Sequence, residues 1–113
     1  MAKNLNMSLL LDFYGEVLPE KQREAMELFY NGDYSLSEIS EETGITRQGV
    51  RDRIVKGEAA ITSLEDRLGL AARFVKMREA AQELGSLLDS MEEDGINVDR
   101  IRELTEKIIE LGG

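Results

Sequence analysis

The sequence predicts an all-α protein, and three observations carry that expectation. Apolar residues recur at intervals of three and four along most of the 113-residue chain, and helix start and stop signals punctuate those intervals. No stretch alternates apolar and polar positions over six residues while being rich in β-branched or aromatic types. With 42% hydrophobic and 33% charged residues, the chain can form a packed core and lies far from the composition of disorder. One domain over residues 1–113 is expected, because no Ser-, Gly- or Pro-rich stretch is long enough to act as a linker.

The first helix is expected from about Asn6 to Leu18, where Met7, Leu11, Tyr14 and Leu18 step by 4, 3 and 4 and so share a face. Pro19 ends it. Because proline lacks the N–H that a first helical residue would leave unpaired, Pro19-Glu20-Lys21 also opens the second helix, which points Ala25, Leu28 and Phe29 inward. Asn31-Gly32-Asp33 is a turn. Ser35-Leu36-Ser37-Glu38 then has the form of a capping box, in which the Ser35 hydroxyl and the Glu38 carboxylate each satisfy an orphan backbone N–H. It starts a short helix, about Leu36 to Thr43. Gly44 supplies the positive φ of a tight turn between helices, and Thr46 caps the next one.

That fourth helix is long. Val50, Ile54, Gly57, Ile61, Leu64 and Leu68 step by 4, 3, 4, 3 and 4 and form a seam that Gly69 breaks. A second seam, Leu70, Phe74, Met77, Ala81, Leu84, Leu88 and Met91, leads to a turn at Asp94-Gly95. A final helix, opened by Asn97 or Asp99, carries Ile101, Leu104, Ile108 and Leu111 at the same spacing. The seams can close within one chain as a C-terminal helical hairpin or bundle, or one can stay open and pair with a second copy as a homodimer through the C-terminal helices.

Composition removes several function classes. There is no cysteine and no histidine, which excludes a disulfide scaffold, a thiolate or imidazole metal site and the commonest general base. The expectation is a non-enzymatic protein with no catalytic, cofactor-binding or metal residue. The longest apolar run is Leu9-Leu10-Leu11, too short for a membrane span or signal-peptide core, so a soluble protein that stays where it is made is expected. Net charge is −9, and from Glu79 onward ten acids face three bases, a surface that repels phosphate. Against this background, residues 47–56 hold four bases, Arg47, Arg51, Arg53 and Lys56, and one acid, Asp52.

Residues 35–55 have the grammar of a helix-turn-helix. Ile39 and Ser40 allow the two helices to approach, Gly44 makes the turn, Ile45 fills the space beneath it, and Val50 and Ile54 anchor the second helix. With those two facing inward, the 100° step per residue turns Arg47, Gln48, Arg51 and Lys56 toward solvent near the start of that helix. An arginine matches guanine O6 and N7 bidentately and a glutamine matches adenine, so Arg47, Gln48 and Arg51 are the candidate base contacts. Arg53 and Lys56 are the candidate phosphate contacts. The competing expectation is a solvated structural face, since the same fold also occurs in protein-binding domains. Phe13, Tyr14, Phe29, Tyr30 and Tyr34 precede this window and are expected in the core. Glu41-Glu42 and Glu92-Glu93-Asp94 are expected to be solvated helix ends, and Met77 and Met91 fill gaps on a seam.

The segments Leu10-Leu11-Asp12-Phe13-Tyr14-Gly15, Leu18-Pro19-Glu20-Lys21-Gln22-Arg23, Tyr34-Ser35-Leu36-Ser37-Glu38-Ile39-Ser40 and Thr46-Arg47-Gln48-Gly49-Val50-Arg51-Asp52 closely resemble the YlxM family of small bacterial helix-turn-helix proteins. Their helix-turn-helix is in turn similar to region 4 of sigma factors, which reads promoter DNA. The resemblance is dense from near Met7 to about Leu68, and Asp12-Phe13-Tyr14-Gly15 is its specific part, since sigma factors lack it. It implies a sigma region 4-like core over 1–68, with 69–113 as acidic C-terminal helices. It also implies a cytoplasmic regulator or accessory of co-translational targeting, because such proteins are typically encoded beside the signal recognition particle GTPase. The partners implied are duplex DNA or structured RNA and components of that particle, with no membrane. The alternative is an adaptor of the GTPase or its receptor without nucleic-acid binding. Two positions depart from the pattern: Thr43 stands where an apolar residue is common, and Gly49 in a first helical turn costs up to about 1 kcal/mol relative to alanine.

Overall fold

A computed structural model describes residues 6–112. Among the described residues there are six α-helices and no strand: α1 (Met7–Tyr14), α2 (Glu20–Tyr30), α3 (Leu36–Thr43), α4 (Arg47–Leu68), α5 (Leu70–Glu93) and α6 (Asp99–Gly112), with a 3-10 turn at Gly15–Val17. The chain divides into two compact units, Met1–Ala71 and Ala72–Gly113.

In the first unit, α1, α2 and α3 all pack on α4. The inward residues are those the 3-and-4 spacing selects. Met7, Leu11, Tyr14 and Leu18 from the first segment, Ala25, Met26 and Phe29 from α2, Ile39 from α3, and Val50, Ile54 and Ile61 from α4 are buried together. Phe13, Tyr30 and Tyr34 pack half-buried against them, so all five N-terminal aromatics serve the core. Gly57 faces Met26 at close quarters: a Cβ there would lie 2.9 Å from Met26 Cγ. The helices approach because this position has no side chain.

Two expected boundaries shift. The first helix does not continue to Leu18; it ends at Tyr14 and tightens into the 3-10 turn, because a residue before proline is pushed out of the helical region. Leu18 is accordingly extended, at φ −78° and ψ 147°, and drops its side chain into the core. Pro19 sits one position earlier than expected, at the N-cap of α2 rather than inside it. The α4 seam also ends sooner than its spacing predicts. It is buried through Ile61 and half-buried at Leu64, but Leu68 is exposed.

The start of α5 is held by side chains distant in sequence. The Tyr14 hydroxyl donates to Glu65 Oε1 at 2.6 Å and accepts from the Leu70 N–H at 3.1 Å. The Ala71 N–H donates to the same Glu65 oxygen at 3.0 Å. Two orphan N–H groups of the first turn are thereby satisfied just after the left-handed break at Gly69.

In the second unit, Gly95 at φ 81° takes the left-handed position of a C-terminal cap, with the Ile96 N–H donating to Met91 O and the Gly95 N–H to Glu92 O. Asn97 Oδ1 accepts from the Asp99 N–H, so Asn97 closes the turn and Asp99 is the first residue of α6. Arg102 reaches back from α6 to Glu92 (2.7 Å) and Asp89 (2.5 Å) on α5, and these two hydrogen bonds raise its pKa above the ordinary arginine value. Leu88 and Val98 are buried. The final seam is not covered: Ile101, Leu104, Ile108 and Leu111 are exposed, as are Leu84 and Leu87. Two helices cannot enclose apolar faces as broad as these.

Candidate nucleic-acid interface

The turn that aims α4 is built as its residues dictate. The capping box at the start of α3 is complete, the Glu38 N–H donating to Ser35 Oγ and the Ser35 N–H to Glu38 Oε1. At the other end, Gly44 is left-handed at φ 74°. The Ser40 hydroxyl donates to Ile45 O across the turn, a contact beyond the small-residue role its spacing suggests. Thr46 caps α4 by accepting from the Gly49 N–H at 3.0 Å. Thr43 is accommodated at its half-buried position because its hydroxyl donates to Ile39 O one turn back.

Gly49 has a steric reason. A Cβ at this position would lie 2.7 Å from Ile45 Cγ2 and 3.1 Å from Thr46 Oγ1. The residue that reduces helix propensity is the one that lets Ile45 tuck beneath the turn.

On this frame Arg47, Gln48 and Arg51 stand exposed on one side of α4, turned away from buried Val50 and Ile54. Lys56 is also exposed, whereas Arg53 is half-buried on the opposite flank from Arg51. The five candidates therefore form two groups: three at the front of the helix and two displaced around its side. Among the described residues, none of the four cations has a carboxylate within ion-pair distance. Asp52, the acid of the window, instead accepts from Gln48 Nε2 at 3.0 Å. That bond leaves the arginines uncompensated but holds the amide a base would need. Arg47 also borders a shallow cavity of about 230 Å³ with Phe29, Ser35, Leu36 and Ser37.

Val55 was not among the sequence candidates. It lies one turn beyond Arg51 on the same face and is 48% exposed, which offers an apolar contact beside two polar ones. Its position four residues after Arg51 is the signal that places it there.

The first turn of α4 holds no acid, and Arg47 sits where the positive end of the helix dipole disfavours a cation by about 0.3–1 kcal/mol. The start of this helix thus joins a positive dipole end, unpaired guanidinium groups and free solvent access, an arrangement that suits an anionic surface. No group of His, Cys, Asp or Glu among the described residues is arranged to hold a metal ion, and no helix among them is long and apolar enough to cross a membrane.

Comparison with known proteins agrees with this architecture. Residues 1–107 match the family model described as "Putative helix-turn-helix protein, YlxM / p13 like". A UPF0122 protein of Acetivibrio thermocellus is 38% identical over 116 aligned residues, covering 97% of this chain and 99% of its own. One from Halalkalibacterium halodurans is 45% identical over 89 residues, covering 79% and 82%. A third, from Thermoanaerobacter sp., is 42% identical over 107 residues, covering 95% and 85%. On the match along nearly its whole length, the chain belongs to the YlxM/p13-like family of helix-turn-helix proteins.

Proposed function

We propose that this is a non-enzymatic, cytoplasmic regulatory protein that contacts nucleic acid through the start of α4. Arg47, Gln48 and Arg51 meet base edges, and Arg53 and Lys56 meet phosphates on the flank. The observation that carries this is the set of four cations in residues 47–56, on a capped helix, without carboxylate partners among the described residues, in a chain of net charge −9. Electrostatic attraction at contact distance is governed by those local charges, because salt screens the remaining acids beyond about 8–10 Å. Gln48 must release Asp52 before it can pair with adenine, so arginine contacts lead.

The resemblance supports a link to the signal recognition particle pathway, with the particle's RNA or the DNA of its operon as the nucleic acid. A homodimer through the C-terminal helices belongs to the same proposal. Titration of the full chain with duplex DNA and with structured RNA tests it. Three or four neutralised phosphates require log affinity to fall against log salt with a slope of about −3. Arg51→Glu should remove binding and leave the helical circular dichroism unchanged. Absence of binding to either nucleic acid at low salt, with retention of the targeting GTPase on the immobilised protein, would instead establish the adaptor alternative.

A further inference from the structure

Arg47, Arg51, Val55 and Ala59 step by four, so they run as one row along the outward side of α4, and all four are exposed. The row passes from two cations to two apolar side chains. Valine is a poor helix former, because its branched Cβ crowds the preceding turn, and Val55 leaves 48% of its surface in solvent, so the folded chain gains little from it. A residue that breaks a local rule without a gain inside the fold is expected where a surface has another task. The two acids nearest to Val55 on the helical lattice, Asp52 and Glu58, are engaged elsewhere: Asp52 accepts from Gln48 Nε2, and Glu58 accepts from the Tyr30 hydroxyl. Val55 thus stands as an apolar group one turn beyond Arg51.

We propose, on the recognition-helix reading above, that Val55 packs against the C5-methyl group of a thymine beside the guanine that Arg51 contacts, and that the nucleic acid is therefore B-form duplex DNA rather than RNA. The thymine methyl is the apolar group that a base edge presents in the major groove, and uracil lacks it. Four residues advance a helix by about 6 Å, close to two base-pair steps of about 3.4 Å each, so Arg51 and Val55 meet neighbouring pairs of one groove. Groove width points the same way. The major groove of B-DNA, about 12 Å wide, admits a helix of about 10–12 Å with its side chains, whereas the major groove of duplex RNA is too narrow for side chains to read. Single-stranded RNA is recognised by stacking its bases on aromatic rings, and α4 carries none.

Anisotropy titration of the full chain at low salt with dye-labelled duplexes of equal length tests this. One duplex has a strand of alternating thymine and guanine paired with its complement, which sets a thymine beside a guanine in every register. The second replaces each thymine by deoxyuridine, removing the methyl groups alone, and the third is the RNA duplex of the same sequence. The chain should bind the thymine duplex about 3- to 5-fold more tightly than the deoxyuridine one, the worth of about one buried methyl group. It should bind the RNA duplex at least about 10-fold more weakly than the thymine duplex. Val55→Ser, at an exposed position where serine and valine have similar helix propensity, should keep the helical circular dichroism and lose the preference for thymine. Equal affinity for the two DNA duplexes, or a preference that survives Val55→Ser, overturns the thymine contact and leaves the arginine contacts standing. RNA bound as tightly as the thymine duplex overturns the assignment to DNA. Binding to none of the three removes the recognition-helix reading and the thymine contact together, a result distinct from equal binding to both DNAs.

Discussion

The two units of this chain use the same spacing of apolar residues and reach different ends. In Met1–Ala71 the α4 stripe meets three helices and is covered, leaving Val50, Ile54 and Ile61 with no measurable exposure. In Ala72–Gly113 an equally regular α6 stripe lies open, and among the described residues only Leu88 and Val98 are buried. A periodic stripe states what a helix can bury. How many neighbours arrive decides what it does bury, and two helices leave flanks that three or four would enclose.

Substitutions that remove the same atoms from each stripe give the largest contrast. Ile54→Ala empties a fully enclosed site and should cost about 2–5 kcal/mol, read as a loss of stability in urea unfolding followed by tyrosine fluorescence. All three tyrosines precede residue 35, so that signal reports the first unit alone. Ile108→Ala, at a position 55% exposed, should change stability by no more than about 0.5 kcal/mol in unfolding followed by circular dichroism. A large effect there would mean that the second unit has a tighter core than its exposed stripe indicates.

Gly57→Ala is a finer test of how closely the first unit is packed. Alanine normally improves a helix interior, but here its Cβ would press on Met26, so a loss of about 1–3 kcal/mol is expected in the same unfolding assay. A gain would show that Met26 has room to move aside. Smaller still, Arg47→Glu replaces a cation at the positive end of α4 by an anion and should raise stability by about 0.3–1 kcal/mol while weakening retention of nucleic acid. Opposite signs in those two measurements would mark Arg47 as placed for binding rather than for folding.

The smallest effect lies at alkaline pH. Burial, reinforced by the hydrogen bond to Glu65, raises the Tyr14 phenol above its ordinary value of 10.0. The folded state therefore holds the proton more tightly than the unfolded chain. The resulting stabilisation is complete below the ordinary value and is lost as pH rises through the raised one. The melting temperature of the wild-type protein should fall above pH 10 by more than that of Tyr14→Phe, and parallel curves would remove Tyr14 from the alkaline transition.

Much of the candidate site was legible because its signals are local. A hydroxyl and a carboxylate three residues apart make a capping box, a glycine after a short helix makes a turn, and a threonine before the next helix caps it; none needs a distant partner. The front face of α4 followed from the helical step once Val50 and Ile54 were taken as inward. The steric reason for Gly49 was not legible, because propensity registers only a lost methyl group, whereas a Cβ there would lie 2.7 Å from Ile45 Cγ2 and force a shift. The hold of Asp52 on Gln48 was likewise invisible, since side-chain rotamers choose among several i,i+4 partners.

By itself, the sequence determined the helices, their caps and the faces each would turn inward, since those depend on residues within about one helical turn of each other. Tertiary structure alone decided the joint of Tyr14 with Glu65 and Leu70, which lie 51 and 56 residues away, and the close packing of Gly57 on Met26. It also decided that the α6 stripe stays open. Whether an apolar face is covered depends on the positions of distant helices, and a spacing rule contains no information about them.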